Sequence, residues 1–384
     1  MIDLIKFEIN KIFSKKVLWI LMAFILWSAI SPAYNKYKAI KPKQIDSMKK
    51  QQELLAPYEG EIITKEGIKN VEKESKELMK KDAKEYTAEE YIKLHLIGID
   101  YVLDIDPTYL VNDKEYKLDN IKNDINNLKK EGNTDTFEYK NLTYVYDLIN
   151  KKESPKFYSK YTWLYSTEFY IIGTLLSTMV AFGVSTIFSN DYQSNSASIV
   201  LSSREGKGKL VVAKIVSALL FSTLIFIVTN SAYLIYTAMN NFKGWDVPLN
   251  LLNSYESTPF NINIANFYIR ALGVSFIGIV LFTLLTILIS LFVKNNMIAT
   301  LVTLGTYYVP SFLAPFMPTK ELSKIFYQLN IAEVTRIRAM FSNTHTYNIF
   351  GNPVLYPNLI ITLAIIAIPV VMYMIMYFGK RQTL

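Results

Sequence analysis

The sequence predicts an all-α polytopic membrane protein. It should have six transmembrane helices, an amphipathic interface helix at the N-terminus and a mostly helical extracytoplasmic domain. Three observations predict this. Six apolar runs approach or exceed the ~20 residues that cross a bilayer, one near the N-terminus and five in the C-terminal half. A charged stretch of domain size separates the first run from the second. Composition divides the same way: the 384 residues are 51% hydrophobic and 14% aromatic, and a mean hydropathy of +0.18 averages a very apolar half with a very charged one. Because lipid satisfies no backbone polar groups, apolar runs of that length are read as helices.

Residues 1–16 precede the first run. Ile2, Ile5, Ile9 and Ile12 recur at steps of three and four with Phe13 beside them, while Asp3, Lys6, Asn10 and Ser14 fall elsewhere on the wheel. That pattern suits an amphipathic helix lying flat at the membrane surface, the alternative being a plain extension of the first span. Residues 17–34 (Val17–Tyr34) form the first span. A cleaved signal peptide fits poorly, because Pro32 follows the only small-residue pair, Ala29 and Ser31.

Residues 35–165 read as a soluble, helical, extracytoplasmic domain in which lysines and acids balance and arginine is absent. Thr87-Ala-Glu-Glu90 is a capping-box pattern ahead of the apolar run Tyr91–Leu103. Asp113–Lys130 reads as a second helix stopped by Gly132. Phe137–Lys152 reads as a third, with Leu142, Val145, Leu148 and Ile149 as its buried face.

Residues 166–384 carry the other spans: Phe169–Ser189, Leu210–Tyr236, Ala271–Val293, Met297–Met317 and Tyr356–Phe378. Only Lys294-Asn295-Asn296 joins the fourth to the fifth, which forces a tight helical hairpin. Pro310 and Pro315 should bend or break the fifth span near its end. Residues 318–345 are too charged to span, and a surface or re-entrant segment is expected there. The spans themselves hold no ionisable residue at mid-depth.

Short-loop charge sets the orientation. Lys6, Lys11, Lys15, Lys16, Arg204, Lys207, Lys209, Lys214, Lys294, Lys380 and Arg381 fall on one side, against only Asp3, Glu8, Asp191 and Glu205. That side is the cytoplasm, so both termini lie inside and residues 35–165 outside. The basic flanks Lys36, Lys38, Lys151 and Lys152 pull the other way.

Several function classes are excluded. Cysteine is absent and only His95 and His345 represent histidine, so thiolate, disulfide and histidine-metal chemistry lack material and no metal site is expected. The net charge of +8 sits in the membrane half, where it reads as topology and attraction to anionic lipid; no clustered basic face for nucleic acid occurs. No phosphate-binding loop exists: Gly206-Lys207-Gly208-Lys209 has the wrong spacing, and Leu210 replaces the needed hydroxyl. Asp104 and Asp106 belong to a turn before Pro107 rather than to a catalytic constellation. Glu168 and Arg270, opening the second and fourth spans on the outer side, form a possible external gate pair.

Between the second and third spans the chain reads Phe188-Ser-Asn-Asp191-Tyr192, then a small polar stretch (Ser194–Ser198), a short apolar helix (Ile199–Leu201), a basic turn (Ser203–Lys209) and Lys214 in the next span. This loop, residues 190–209, resembles the first cytoplasmic loop of type-2 ABC transporter permeases, although the family's turn proline is replaced by Ser203-Arg204-Glu205-Gly206. The layout of a surface helix, lone span, large insertion and five further spans is similar to the long-insertion bacterial members.

The resemblance implies a permease subunit of an ATP-driven exporter, not itself an enzyme, forming the path for an amphipathic or hydrophobic substrate such as an antimicrobial peptide, lipid-like molecule or drug. It implies a separate ABC ATPase subunit that binds ATP and Mg, a second permease copy or paralogue, and contact with membrane lipid. Asp191, Tyr192, Ile199, Leu201, Arg204, Glu205, Lys207 and Lys209 would couple to that ATPase, together with the interface helix. The alternative is a membrane resistance or sensor protein that binds an external peptide through residues 35–165 without transport.

Overall fold

A computed structural model describes residues 1–39, 107–152, 168–202, 208–239, 245–252, 257–342 and 344–381, with isolated positions among residues 60–90, Lys156 and Tyr255. His95, Asp104 and Asp106 lie outside the described residues, as does most of the stretch from 40 to 106.

Fourteen helices and one hairpin are described. In order they are α1 (Ile2–Phe13), α2 (Lys16–Ala39), α3 (Pro107–Lys130), α4 (Phe137–Asn150), α5 (Glu168–Val184), α6 (Ser189–Gln193), α7 (Ala197–Ser202), α8 (Lys209–Met239), α9 (Ile264–Phe292), α10 (Asn296–Leu313), α11 (Lys320–Gln328), α12 (Ile331–Arg336), α13 (Arg338–Ser342), strands β1 (Thr346–Ile349) and β2 (Asn352–Leu355), and α14 (Tyr356–Lys380).

Helices stand at all six expected spans. Among the described residues, four stretches are long and apolar enough to cross a membrane: Lys209–Ile235, Ile264–Phe292, Asn296–Phe316 and Tyr356–Lys380. The apolar part of α2, Lys16–Ser28, is shorter, and α5 has 17 residues, or about 26 Å at the helical rise. From Val184 the chain continues through a turn into α6, so the expected second span divides near its end.

The N-terminal helix does not extend the first span. The Ser14 hydroxyl donates to Lys11 O at 2.9 Å, Lys15 lies between helices, and α1 packs on α8 whereas α2 packs on α5. α9 is the central post, buried from Ile264 to Leu291 and packed against α5, α8, α10, α12 and α14. Its all-round apolar surface accounts for that position. Asn263 caps its start, accepting from Asn266 N at 2.9 Å, and Asn295 caps α10 by accepting from Met297 N and Ile298 N. α10 runs through Pro310 and ends at Leu313, where Pro315 lies in a single 3₁₀ turn, Ala314–Phe316.

In the inserted segment the expected capping box forms: Thr87 N donates to Glu90 Oε2 at 2.9 Å and Glu90 N to Thr87 Oγ1 at 3.2 Å. α3 begins at Pro107, earlier than the expected Asp113, because proline is pre-set for a first helical turn. It is followed by Gly132 at φ +77°, a backbone conformation that glycine adopts freely. Of the expected face of α4 only Ile149 is buried; Leu142, Val145 and Leu148 remain partly exposed.

Two findings go beyond the sequence expectations. The polar loop around His345 contains an antiparallel hairpin in register Thr346↔Leu355 to Ile349↔Asn352. Its two turn residues, Phe350 and Gly351, have φ of 51° and 80°, the backbone sign that suits a two-residue hairpin. Second, charge does enter the helical bundle, carried by a short helix rather than by a span. α12 is buried against α5 and α9. A Cβ on Gly278, at the midpoint of the 29-residue α9, would lie 3.0 Å from Thr335. This brings Glu333, 3% exposed, and Arg336 to the middle of the bundle. Their charges tolerate it because they pair at 3.9 Å, Arg336 Nε donates to Thr174 Oγ1 at 3.3 Å, and the guanidinium lies 5.4 Å from the Tyr307 ring centroid.

Candidate functional site

The strongest concentration of buried charge among the described residues lies where α1, α6 and the start of α8 meet. Glu8 falls on the same face of α1 as Ile5 and Ile12, one turn from each, so packing that apolar face on α8 buries a carboxylate with it. Glu8 and Lys214 are each 1% exposed, and Asp191 is buried too.

Lys214 Nζ lies 3.0 Å from Asp191 Oδ2 and 3.3 Å from Glu8 Oε2. It also donates to the Ile187 carbonyl and stands 5.2 Å from the Phe188 ring centroid. Lys11 Nζ closes the group, 3.2 Å from Glu8 Oε1 and 3.4 Å from Asp191 Oδ1. Two cations and two carboxylates therefore cancel, which is the condition under which buried charge is tolerated. The Ser217 hydroxyl donates to Ile5 O at 3.1 Å, adding a second tie between α1 and α8.

A second polar set joins α6 to the α9–α10 turn. Ser189 Oγ donates to Asn296 Oδ1 at 2.7 Å, Asn296 Nδ2 to Asn190 Oδ1 at 3.1 Å, and Asn296 N to Gln193 Oε1 at 3.2 Å. Ser290 Oγ of α9 accepts from Phe188 N at 3.0 Å. Lys15 holds the end of α5, donating to Gly183 O at 2.7 Å, Phe182 O at 3.2 Å and Thr186 Oγ1 at 2.6 Å. A cation on terminal carbonyls complements the helix dipole, and burial pulls the Lys15 ammonium down to about 8. The five residues of α6 are thus fastened to α1, α8, α9 and α10. Displacing α6 has to move its neighbours.

The residues expected from sequence distribute unevenly over this site. Asp191 is its centre. Tyr192 follows it, with Lys294 Nζ 5.0 Å from its ring centroid; burial, then the Asp191 carboxylate, push its phenol up. Ile199 and Leu201 lie on α7, their side chains outside the described residues, and Arg204, Glu205 and Lys207 lie outside them altogether. Lys209 opens α8 and is exposed.

On α1, Ile12 is buried and Ile5 and Ile9 are half-buried, whereas Ile2 is 69% exposed. The half-buried Phe13 meets Phe221 edge-on at 5.4 Å. Arg270 is exposed on α9, and the side chain of Glu168 is outside the described residues, so their pairing has no geometry here. Sequence reasoning missed Glu8, Lys11, Lys15 and Asn296. The available signal was Glu8, an acid among isoleucines on a face otherwise ready for burial.

Long apolar helices, a central buried post and a charge-locked junction of α1, α6 and α8 are the frame of a multi-pass membrane subunit. The chain matches the family model described as ABC-2 family transporter protein over residues 2–382. It belongs to that family and is a type-2 ABC transporter permease, a class that works with a separate ABC ATPase subunit. Neither characterised proteins nor solved structures yield a significant match.

Proposed function

We propose that this permease is the membrane subunit of an ATP-driven exporter, and that α1, α6 and residues 190–209 receive the force of its ATPase. Both termini and the 190–209 loop then face the cytoplasm, with residues 35–165 outside. ATP and Mg bind to the partner subunit. The chain itself contributes no nucleotide chemistry. Two permease copies, or one copy and a paralogue, enclose the path. The cargo is an amphipathic or hydrophobic molecule, and lipid surrounds the exposed apolar faces of α2, α8, α10 and α14.

One observation carries this reading: Lys214 is shared between Asp191 of α6 and Glu8 of α1 at 3.0 and 3.3 Å. A partner pressing on the loop next to α6 displaces Asp191, and the shared ammonium conveys that displacement to α1 and to α8. Breaking the link inside the bundle would leave a buried charge unpaired, so the three helices are expected to move together.

The test is a charge reversal in the basic turn of the loop, Arg204→Glu with Lys207→Glu. The expected result is loss of the ATPase subunit from purified membranes while the permease still inserts and runs as a monodisperse species. Full ATPase recovery with both charges reversed would remove the docking role.

A further inference from the structure

Pro315 and Pro318 follow α10 closely and stop it from running on as a helix. The chain bends through the 3₁₀ turn Ala314–Phe316, and Thr319 starts α11 by accepting from Leu322 N at 3.2 Å. α11 packs back on that turn and on α10. The elbow holds an open cavity of about 420 Å³, lined by Pro315 and Pro318 of the turn and by Thr319, Lys320, Ser323 and Lys324. Its polar lining is cationic and hydroxylic. No carboxylate lines it, since Glu321, the one acid of α11, falls outside.

The spacing along α11 divides it into two faces. Lys320, Ser323 and Lys324, three and four residues apart, share the face that meets the cavity, and Leu322, Ile325 and Phe326 share the opposite one. All three apolar residues are exposed, as are Phe312 and Phe316 at the elbow, 69% and 70%, whose ring centroids lie 5.7 Å apart. Lys324 Nζ stands 4.8 Å from the Tyr347 ring centroid, a contact that orients an ammonium without neutralising it. Depth is set by α10. The stretch able to cross a membrane, Asn296–Phe316, ends in this elbow, at the opposite end of α10 from Asn296 and α6. The cavity therefore stands where hydrocarbon gives way to headgroups. There α11 has the division of an in-plane interfacial helix, apolar side towards acyl chains and lysines towards phosphate.

We propose that the α10–α11 elbow is a binding site for an anionic phospholipid. The phosphate enters the cavity against Lys320 and Lys324, with the Thr319 and Ser323 hydroxyls donating to its oxygens, and the acyl chains run along Phe312 and Phe316. A zwitterionic lipid would bring its own ammonium to a lining that is already cationic, so the site selects a headgroup of net negative charge. The exposed rings beside the cavity give an acyl chain a surface that a soluble anion cannot use. This inference goes beyond the exporter reading and holds for either orientation and any cargo.

The full-length permease, reconstituted with its ATPase subunit in phosphatidylcholine vesicles, is photolabelled with two probes. One is phosphatidylglycerol carrying a diazirine in an acyl chain, and the other is phosphatidylcholine carrying the same chain. Phosphatidylglycerol should label residues 312–326 roughly fivefold more, the scale of one lysine beside an anionic lipid surface. Lys320→Gln with Lys324→Gln should bring the two probes to parity, whereas Glu321→Gln should leave the excess in place. Inorganic phosphate, with ionic strength matched by chloride, should not displace the lipid. Equal labelling of the wild type by both probes, an excess that survives removal of both lysines, or an excess lost with Glu321→Gln overturns the site. Displacement by inorganic phosphate overturns the lipid in favour of a free anion. If the double variant does not insert, Lys320→Gln alone, at an exposed position, should lower the ratio, and an unchanged ratio counts against the proposal. Loss of the ATPase subunit from the unmodified permease would overturn the exporter reading and leave the lipid comparison standing.

Discussion

Lys214→Met isolates the contribution of the shared ammonium. The substitution keeps the bulk of the side chain and removes the cation that lies 3.3 and 3.0 Å from Glu8 and Asp191. Two buried carboxylates then face each other with only Lys11 between them. Lys11 reaches both, but its side chain is 36% exposed, so solvent screens its contribution. Removing one member of a buried ion group costs about 3–5 kcal/mol, and the remaining help from Lys11 places the expected loss near ~3 kcal/mol. Glu8→Gln should cost a similar amount by stranding part of the Lys214 charge. The double variant leaves Lys11 facing Asp191, a neutral pair again. Its loss should therefore fall short of the sum of the single losses by roughly 1–3 kcal/mol. Denaturant unfolding of the full chain in micelles, followed by circular dichroism, measures all three. Additivity within about 0.5 kcal/mol would mean that Glu8 and Lys214 do not interact, and the α1–α6–α8 link would fail with them.

Two further outcomes follow from single contacts. A Cβ on Gly173 would sit 2.2 Å from Thr335 O, against 3.0 Å for the nearest atom at Gly278. Gly173→Ala should therefore displace α12 and cost at least the ~1–3 kcal/mol of an overpacked site, with Gly278→Ala milder; thermal stability by fluorescence-detected gel filtration ranks the two, and equal stability would contradict the close approach. For Lys15, the folded chain releases its proton near 8 while the unfolded chain keeps it to 10.5. Between those values the unfolded state binds more protons, so the stability attributable to this group rises with pH. The stability difference between wild type and Lys15→Met should grow in favour of wild type from pH 7.5 to 10, and a flat or falling difference would refute the burial.

Four of the six expected spans were legible as apolar helices of spanning length among the described residues, because hydropathy over ~20 residues is a long, redundant signal. The helix caps at Thr87 and the proline-ended α10 were legible for the opposite reason, being set by a few residues acting locally. The hub was only half legible. Asp191 stood out in the loop, but its partners are distant in sequence, 183 residues away for Glu8 and 23 for Lys214, and no periodicity within one helix reports a pairing between helices. The depth of α12 was not legible, for a related reason. Its six residues, Ile331–Arg336, carry two charges, which argues against a span by composition; their pairing with each other, Thr174 and Tyr307 becomes visible only once α5 and α10 surround them. The hairpin escaped because its strands have four residues each and its turn is Phe-Gly rather than Asn-Gly.

The connection between α9 and α10 consists of Val293, Lys294 and Asn295 alone. So short a tether forbids axial sliding and leaves swivelling as the available freedom of α10. Its 18 residues make a lever of about 27 Å, so a tilt of ~5° at the tether sweeps the opposite tip through roughly 2 Å. Asn296, which clasps α6, stands at the fulcrum. A nudge of ångström scale delivered beside Asp191 is thereby magnified towards Tyr308 and Phe312, at the far reach of the arm.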